Sequence, residues 1–151
     1  MRFIVNDKLS EKYPSLSFGI AVGKRIDNSK RSTALRQILS GLEVQVQKHF
    51  KHIKLKDEPK ITNWHTVFEG MGAKTFKNSM EQVLDKALKN KEIESLDNLS
   101  RIRDYFMLKW QLPIMCFALN DIYGDIHLDF DGKKIFYRDQ GSVLTKKWNN
   151  E

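Results

Sequence analysis

The chain has 151 residues, 40% of them hydrophobic and 30% charged, and carries a formal net charge of +7. A chain of this length buries roughly 70% of its extended surface on folding, so this composition excludes a disordered protein and requires no disulfide or metal to form a core. The single cysteine, Cys116, excludes an internal disulfide and a thiolate metal cluster.

The lone cysteine and the positive charge also suggest a compartment and a partner. A chain that cannot form a disulfide suits a reducing environment, so we expect a cytoplasmic location. The N-terminal residues become polar within six positions, so we expect neither a signal peptide nor a membrane span there. Excess positive charge favours a polyanion as partner, although many lysines increase solubility and bind no polyanion.

The first part of the chain has two strand-like stretches. The N-terminal residues are typical of the start of a strand. Residues 16–23 then alternate large apolar with small side chains, which is the period of a strand with one bulky face. The bare face allows a helix, another backbone or a ligand to approach closely, and helix packing is the favoured interpretation.

Four helices are predicted in the middle of the chain. The first follows the capping residue types at 27–29 and ends near Phe50, after which residues 48–60 form a basic, exposed loop. The second covers residues 61–71 and stops at two glycines. The others begin at a capping box of Ser79 with Gln82 and at Ser95, and the last has one apolar stripe, comprising Leu99, Ile102, Phe106 and Trp110.

The last forty residues change to short apolar or alternating runs separated by turn residues. The predicted strands are residues 114–117, 126–130, 135–138 and 143–148. Sequential antiparallel hairpins are the simplest way to connect them. The sequence therefore predicts an α+β fold, with a mixed or antiparallel sheet and about four helices, in a single domain of residues 1–151.

Catalytic motifs are scarce. His65 and Glu69 lie one turn apart on a predicted helix. Two ligands are too few for a metal site, so a solvent-exposed pair is the favoured interpretation. His127, Asp129 and Asp131 share one strand face and suit acid–base chemistry, but a solvated sheet face is favoured. We expect no metal site and no cofactor.

Cys116 lies in an apolar run, which indicates a buried, unreactive thiol with a raised pKa. Trp148 with Lys146 and Lys147 could stack on RNA or fill a core. Two basic runs form the best electrostatic footprint for RNA, at opposite ends of the first long predicted helix. They are Lys24, Arg25, Lys30 and Arg31, and then Lys48, Lys51, Lys54 and Lys56.

The order of several segments resembles a family of tRNA-contacting domains. These are the strand-like residues 17–23, the segments 63–74 and 78–84, the turn Leu112-Pro113-Ile114, and residues 117–126 with the tail 136–149. Together they are similar to the B3/B4 domain of the phenylalanyl-tRNA synthetase β subunit, as a free-standing and compact member. The resemblance implies the B3/B4 fold, contact with tRNA, and an editing pocket near the turn.

The chain departs from the family at two chemically important places. Met115 stands where the family has a histidine, and a thioether can neither donate to an ester nor orient a water as imidazole does. Asp104 stands where the family has an asparagine, and an ionised carboxylate offers no donor. The resemblance gives these pocket candidates: Asp104, Met115, Cys116, Phe117 and His127.

Two functions follow from the resemblance. The first is a module that binds tRNA, aminoacyl-tRNA or other RNA without intact editing chemistry, and an aminoacyl-tRNA synthetase is an expected further partner. The second is a hydrolase that deacylates mischarged tRNA of the Tyr-tRNA type, since a positioned water is enough for ester hydrolysis. A small-molecule or protein-binding module without an RNA role is a third reading of the same residues.

Overall fold

The computed structural model describes residues 1–70, 77–93, 95 and 97–130, and the backbone of residues 135–138. Five α-helices and three strands lie in these ranges. The helices are α1 (Asp7–Lys12), α2 (Thr33–His49), α3 (Pro59–Gly70), α4 (Ser79–Leu88) and α5 (Asn98–Trp110). The strands are β1 (Phe3–Val5), β2 (Ile126–Phe130) and β3 (Ile135–Arg138).

The chain divides into two compact units. The first, which we call the sheet unit, combines residues 1–23 with the chain from Phe117 onward, and the second, the helical unit, comprises residues 24–116. The prediction that residues 1–151 form a single domain remains a prediction.

The sheet unit is built on three short strands in the order β1-β2-β3. β1 pairs with β2 in parallel, with Phe3 opposite Ile126, and β2 pairs with β3 in antiparallel fashion. Polar contacts fix the parallel register: the Arg2 guanidinium Nε donates to Asp125 Oδ2 at 2.9 Å. At the other end of the paired residues, Asn6 Nδ2 donates to Asp129 Oδ1 at 2.8 Å. Leu9 of α1 is fully buried in a small core against β2.

The helical unit contains the larger core. Its apolar side chains come mainly from one face of each of α2, α4 and α5, and fully buried members include Ile61, Met80 and Leu84. Capping residues set the helix starts, since Ser32 Oγ accepts from Leu35 N and Asn78 Oδ1 accepts from Glu81 N. Helix α5 ends at Gln111, whose left-handed φ of 53° closes the last turn before Pro113.

The predicted α+β fold with a mixed or antiparallel sheet is wrong. The described residues are mostly helical, and the sheet is a minor element whose β1 and β2 pair in parallel. Residues 16–23 and 114–117 form no strand. An alternating pattern becomes a strand only where a neighbouring strand supplies hydrogen bonds. No strand of the described residues pairs with residues 16–23, and Ile20 and Val22 are exposed.

The four helices predicted in the middle of the chain correspond to α2, α3, α4 and α5, but α1 is not predicted and some boundaries are wrong. Residues 27–29 do not cap α2, because the cap is Ser32. The predicted capping box at Ser79 is shifted by one residue, since Asn78 is the cap and Glu81 holds the third helical position. Helix α5 starts after Asp97 instead of at Ser95. The second glycine stop and the strand at 143–148 lie outside the described residues.

Candidate nucleic-acid interface

A polar groove of about 630 Å³ lies in the helical unit, between α2 and the connection from α4 to α5. Charged side chains surround it. Its basic residues outnumber its acidic ones by four to two, and they are Arg31, Arg36, Lys91 and Arg101 against Glu43 and Glu92. The groove is therefore electropositive when both glutamates are ionised, and more so when either is neutral.

Helix α2 forms one wall of the groove through a regular stripe. Arg36, Ser40, Glu43 and Gln47 follow one another at three- and four-residue spacing, so they share one face of the helix. Gln47 then joins this wall to the end of α4. Its Nε2 donates to the Ala87 carbonyl at 2.7 Å and to Asn90 Oδ1 at 2.8 Å.

The segment before α2 is fastened to the first turn of α5, which fixes one end of the groove. Asn98 Oδ1 accepts from Ser32 N at 2.8 Å, and its Nδ2 donates to the Lys30 carbonyl. The guanidinium of Arg101 donates to the Ser32 carbonyl at 3.1 Å. Because Lys30 and Ser32 are both held, the backbone of Arg31 between them is positioned at the groove as well.

The acidic side chains modulate this positive site. Arg36 and Glu92 approach to 3.5 Å, but both side chains are well exposed, so the pair contributes little to stability and can exchange partners. Glu43 is half-buried. Burial first, and the nearby Glu92 carboxylate second, raise the pKa of Glu43 above its ordinary value.

Neutralising Glu43 is expected to stabilise the fold at neutral pH. When folding raises the pKa of a carboxyl group, the protein loses stability as pH increases, first through the pKa of the group in the unfolded chain and then through its pKa in the folded chain. Glu43→Gln should therefore raise the free energy of unfolding at pH 7 by up to about 1 kcal/mol, a limit set by solvent screening, and the gain should vanish in acid, below the ordinary carboxyl range. Urea unfolding across a pH series measures this. Glu11→Gln, at an exposed position of α1, is the control, and a gain that does not change with pH contradicts the explanation.

Asp104, predicted to line a substrate pocket, is only 2% exposed. Its Oδ2 accepts from Ser95 Oγ at 2.8 Å, and its Oδ1 accepts from Arg103 Nε at 2.9 Å. Both carboxylate oxygens are thus occupied by neighbouring side chains. This arrangement suits a structural role in the middle of α5, and Asp104 does not line the groove described above.

The other pocket candidates are divided between the two units. Met115 is half-buried and Cys116 is exposed in the helical unit, whereas Phe117 and His127 belong to the sheet unit. The prediction that Cys116 is buried is wrong, because residues 114–117 do not form an inner strand. Partial burial of the thiol by neighbouring atoms nevertheless raises the pKa of Cys116. The raised pKa keeps the group protonated and weakly nucleophilic near neutral pH, as predicted for an unreactive thiol.

The two predicted histidine sites have ordinary partners. His65 Nε2 lies 2.8 Å from Oε2 of Glu81, a buried residue of α4, in place of the predicted exposed pair with Glu69. His127 lies on the half-buried face of β2 together with Asp129, whose carboxylate accepts from Asn6. Asp131 and the Trp148 cluster with Lys146 and Lys147 lie outside the described residues. Within the described residues, no three His, Cys, Asp or Glu side chains are grouped closely enough for a metal ion.

The eight basic residues predicted for RNA contact are all exposed and flank α2. Lys24, Arg25, Lys30 and Arg31 precede the helix, and Lys48, Lys51, Lys54 and Lys56 lie at its end and beyond. The helix has 17 residues, so the two sets are separated along its axis by about 25 Å. Of the eight, Arg31 lines the groove. Sequence reasoning missed Arg36, Lys91 and Arg101, for which only a fold could show proximity.

Comparison with known proteins gives no relative. No protein family, curated protein or solved structure matches the chain. In the part of the chain that the structure describes, no helix combines the length and apolar character needed to cross a bilayer. The resemblance to the B3/B4 domain therefore remains a prediction from sequence.

Proposed function

We propose that this chain is a non-catalytic RNA-binding module that contacts the phosphate backbone through its basic groove. The observation that carries the proposal is the convergence of Arg31, Arg36, Lys91 and Arg101 around one groove of the helical unit. Guanidinium and ammonium groups neutralise phosphates and release counterions, which gives affinity without sequence readout. Exposed lysines beyond α2 add a second basic surface, and the net charge of +7 has the sign that a polyanion requires.

Transfer RNA is the first RNA to test, because the sequence resembles a tRNA-contacting domain. An aminoacyl-tRNA synthetase as further partner and a cytoplasmic location belong to the same proposal. The hydrolase alternative has weaker support. Asp104 is buried with both oxygens engaged, and Met115 offers no proton donor.

The proposal is tested by a paired charge neutralisation in the groove. Arg31→Gln with Lys91→Gln removes two exposed positive charges, and each phosphate contact contributes roughly 0.7 to 0.9 to the slope of log affinity against log salt. We expect the variant to bind total tRNA about tenfold more weakly at low salt and with a slope shallower by about 1.5. Fluorescence anisotropy across a salt series measures both quantities.

A matched control separates groove contacts from net charge. Lys8→Gln with Lys86→Gln also removes two exposed positive charges, from α1 and α4, and neither residue lines the groove. We expect this control to retain most of the affinity. Equal losses of tRNA affinity in both variants would show that binding depends on net charge and not on the groove. Absence of binding by the unaltered protein would overturn the proposal. Faster release of tyrosine from mischarged Tyr-tRNA than in buffer would instead establish the hydrolase.

A further inference from the structure

Helix α5 presents an apolar stripe that the core does not use. The residues that α5 buries are Asp104, Met107 and Leu108. The stripe that the sequence predicts as the apolar face lies elsewhere on the helix, so that Ile102 is 38% exposed and Trp110 is 47% exposed. An exposed tryptophan of this extent, on a helix whose opposite face is well packed, is available for a ligand.

The exposed stripe ends in a rigid stack of two aromatic rings. The centroids of Phe106 and Trp110 are 4.3 Å apart, and the ring planes are inclined by 21°. Tyr105 meets Phe106 edge-on with centroids 5.2 Å apart, and it packs partly into the core. The indole is therefore supported on one side by Phe106, which is supported in turn by a residue anchored in the core.

Two ammonium groups contact residues of this aromatic cluster. Lys60 Nζ donates to the carbonyl of Trp110 at 2.7 Å. Lys109 Nζ lies 5.5 Å from the centroid of the Tyr105 ring. An exposed aromatic side chain with two cations in the same cluster matches an unpaired nucleotide, because the base can stack on the ring while its phosphates meet the positive charges.

We infer that Trp110, backed by Phe106 and flanked by Lys60 and Lys109, is a stacking platform for an unpaired base of single-stranded RNA. This inference rests on the proposed RNA-binding function and adds a preference for single strands to it. Charge complementarity selects this occupant. An apolar protein helix would have to desolvate two lysines on docking, whereas a nucleotide pairs with them.

The test compares RNA with unpaired and with paired bases. The probes are a twelve-nucleotide oligouridine and a twelve-base-pair RNA duplex, both measured by anisotropy at one salt concentration. Trp110→Ala removes the platform, and Trp110→Leu keeps an apolar side chain over Phe106 but removes the aromatic face. Each variant is expected to bind the oligouridine about fivefold or more weakly, to leave duplex affinity unchanged, and to lose the tryptophan fluorescence quenching caused by the single strand.

The control is Tyr123→Ala, which removes an aromatic side chain that is 71% exposed in the sheet unit. It should change neither affinity. Wild-type binding with no loss in either Trp110 variant would overturn the platform and leave the RNA-binding proposal intact, and so would equal losses on single strand and duplex. A wild-type protein that binds neither RNA would overturn both. A dimer that becomes a monomer in Trp110→Ala would show that this face covers a second copy of the chain.

Discussion

Replacing Leu84 by alanine is expected to lower the free energy of unfolding of the helical unit by about 2 to 5 kcal/mol. Leu84 is fully buried on α4, and its cluster includes Leu39, Ile61 and Met107 from three other helices. Truncation removes apolar contacts and leaves a cavity at the place where these helices meet. A domain of this size is stable by only about 5 to 15 kcal/mol. The loss is therefore a large fraction of the total stability, and the midpoint of unfolding should shift to a lower denaturant concentration.

Urea unfolding followed by far-UV circular dichroism measures the effect. Ile38→Ala is the matched control, because Ile38 is apolar and helical but 51% exposed on α2. We expect the control to cost less than about 1 kcal/mol. If both variants lose the same stability, Leu84 does not lie at the centre of a packed core.

Three of the longer helices can be predicted from sequence because each carries its own periodic signal. Apolar spacing locates α2, α3 and α4, and each of them buries part of its apolar stripe in the core of the helical unit. The caps were less predictable, since several capping residue types stand next to one another before α2. Only the structure shows that Asn28 Oδ1 accepts a hydrogen bond from the backbone amide of Leu99. Asn28 therefore makes a contact distant in sequence and does not cap α2.

The orientation of α5 could not be predicted from hydrophobicity alone. A polar residue is normally assigned to the outer face of a helix, but Asp104 is buried because Arg103 and Ser95 satisfy its oxygens. Asp104 is buried together with Met107 and Leu108, whereas Trp110 is exposed. The buried face of α5 therefore includes a carboxylate that hydrophobicity alone would place in solvent.

The groove could be predicted only in part for a similar reason. Charge patterning identifies Arg31 within a basic run, but Lys91 and Arg101 lie far along the chain and outside both of the predicted basic runs. They reach the groove because α4 and α5 pack against α2 and because Asn98 fastens the preceding segment. Such proximity depends on tertiary contacts, which spacing along a sequence does not encode.

Replacing Asp104 by alanine is expected to destabilise the helical unit by about 3 kcal/mol. Removing one member of a buried ion pair typically costs about 3 to 5 kcal/mol, and the value should fall at the lower end because the Arg103 side chain keeps 33% of its exposure and can be solvated. Ser95 also loses its acceptor, and it is nearly as buried as Asp104. Thermal and urea unfolding of the variant measure the loss.

A double-mutant cycle with Ser95→Ala separates a structural carboxylate from a catalytic one. If Asp104 acts through its hydrogen bonds, the loss in the double variant should be smaller than the sum of the single losses by about 1 kcal/mol or more, because the two residues share one interaction. Asp104→Asn should recover part of the stability, since its carbonyl oxygen still accepts from Ser95. A catalytic Asp104 predicts the opposite pattern: near-native stability in Asp104→Ala together with loss of any aminoacyl-ester hydrolysis. Burial and full hydrogen bonding of the carboxylate favour the structural outcome, in which α5 loses a buried ion pair and the hydrogen bond to Ser95.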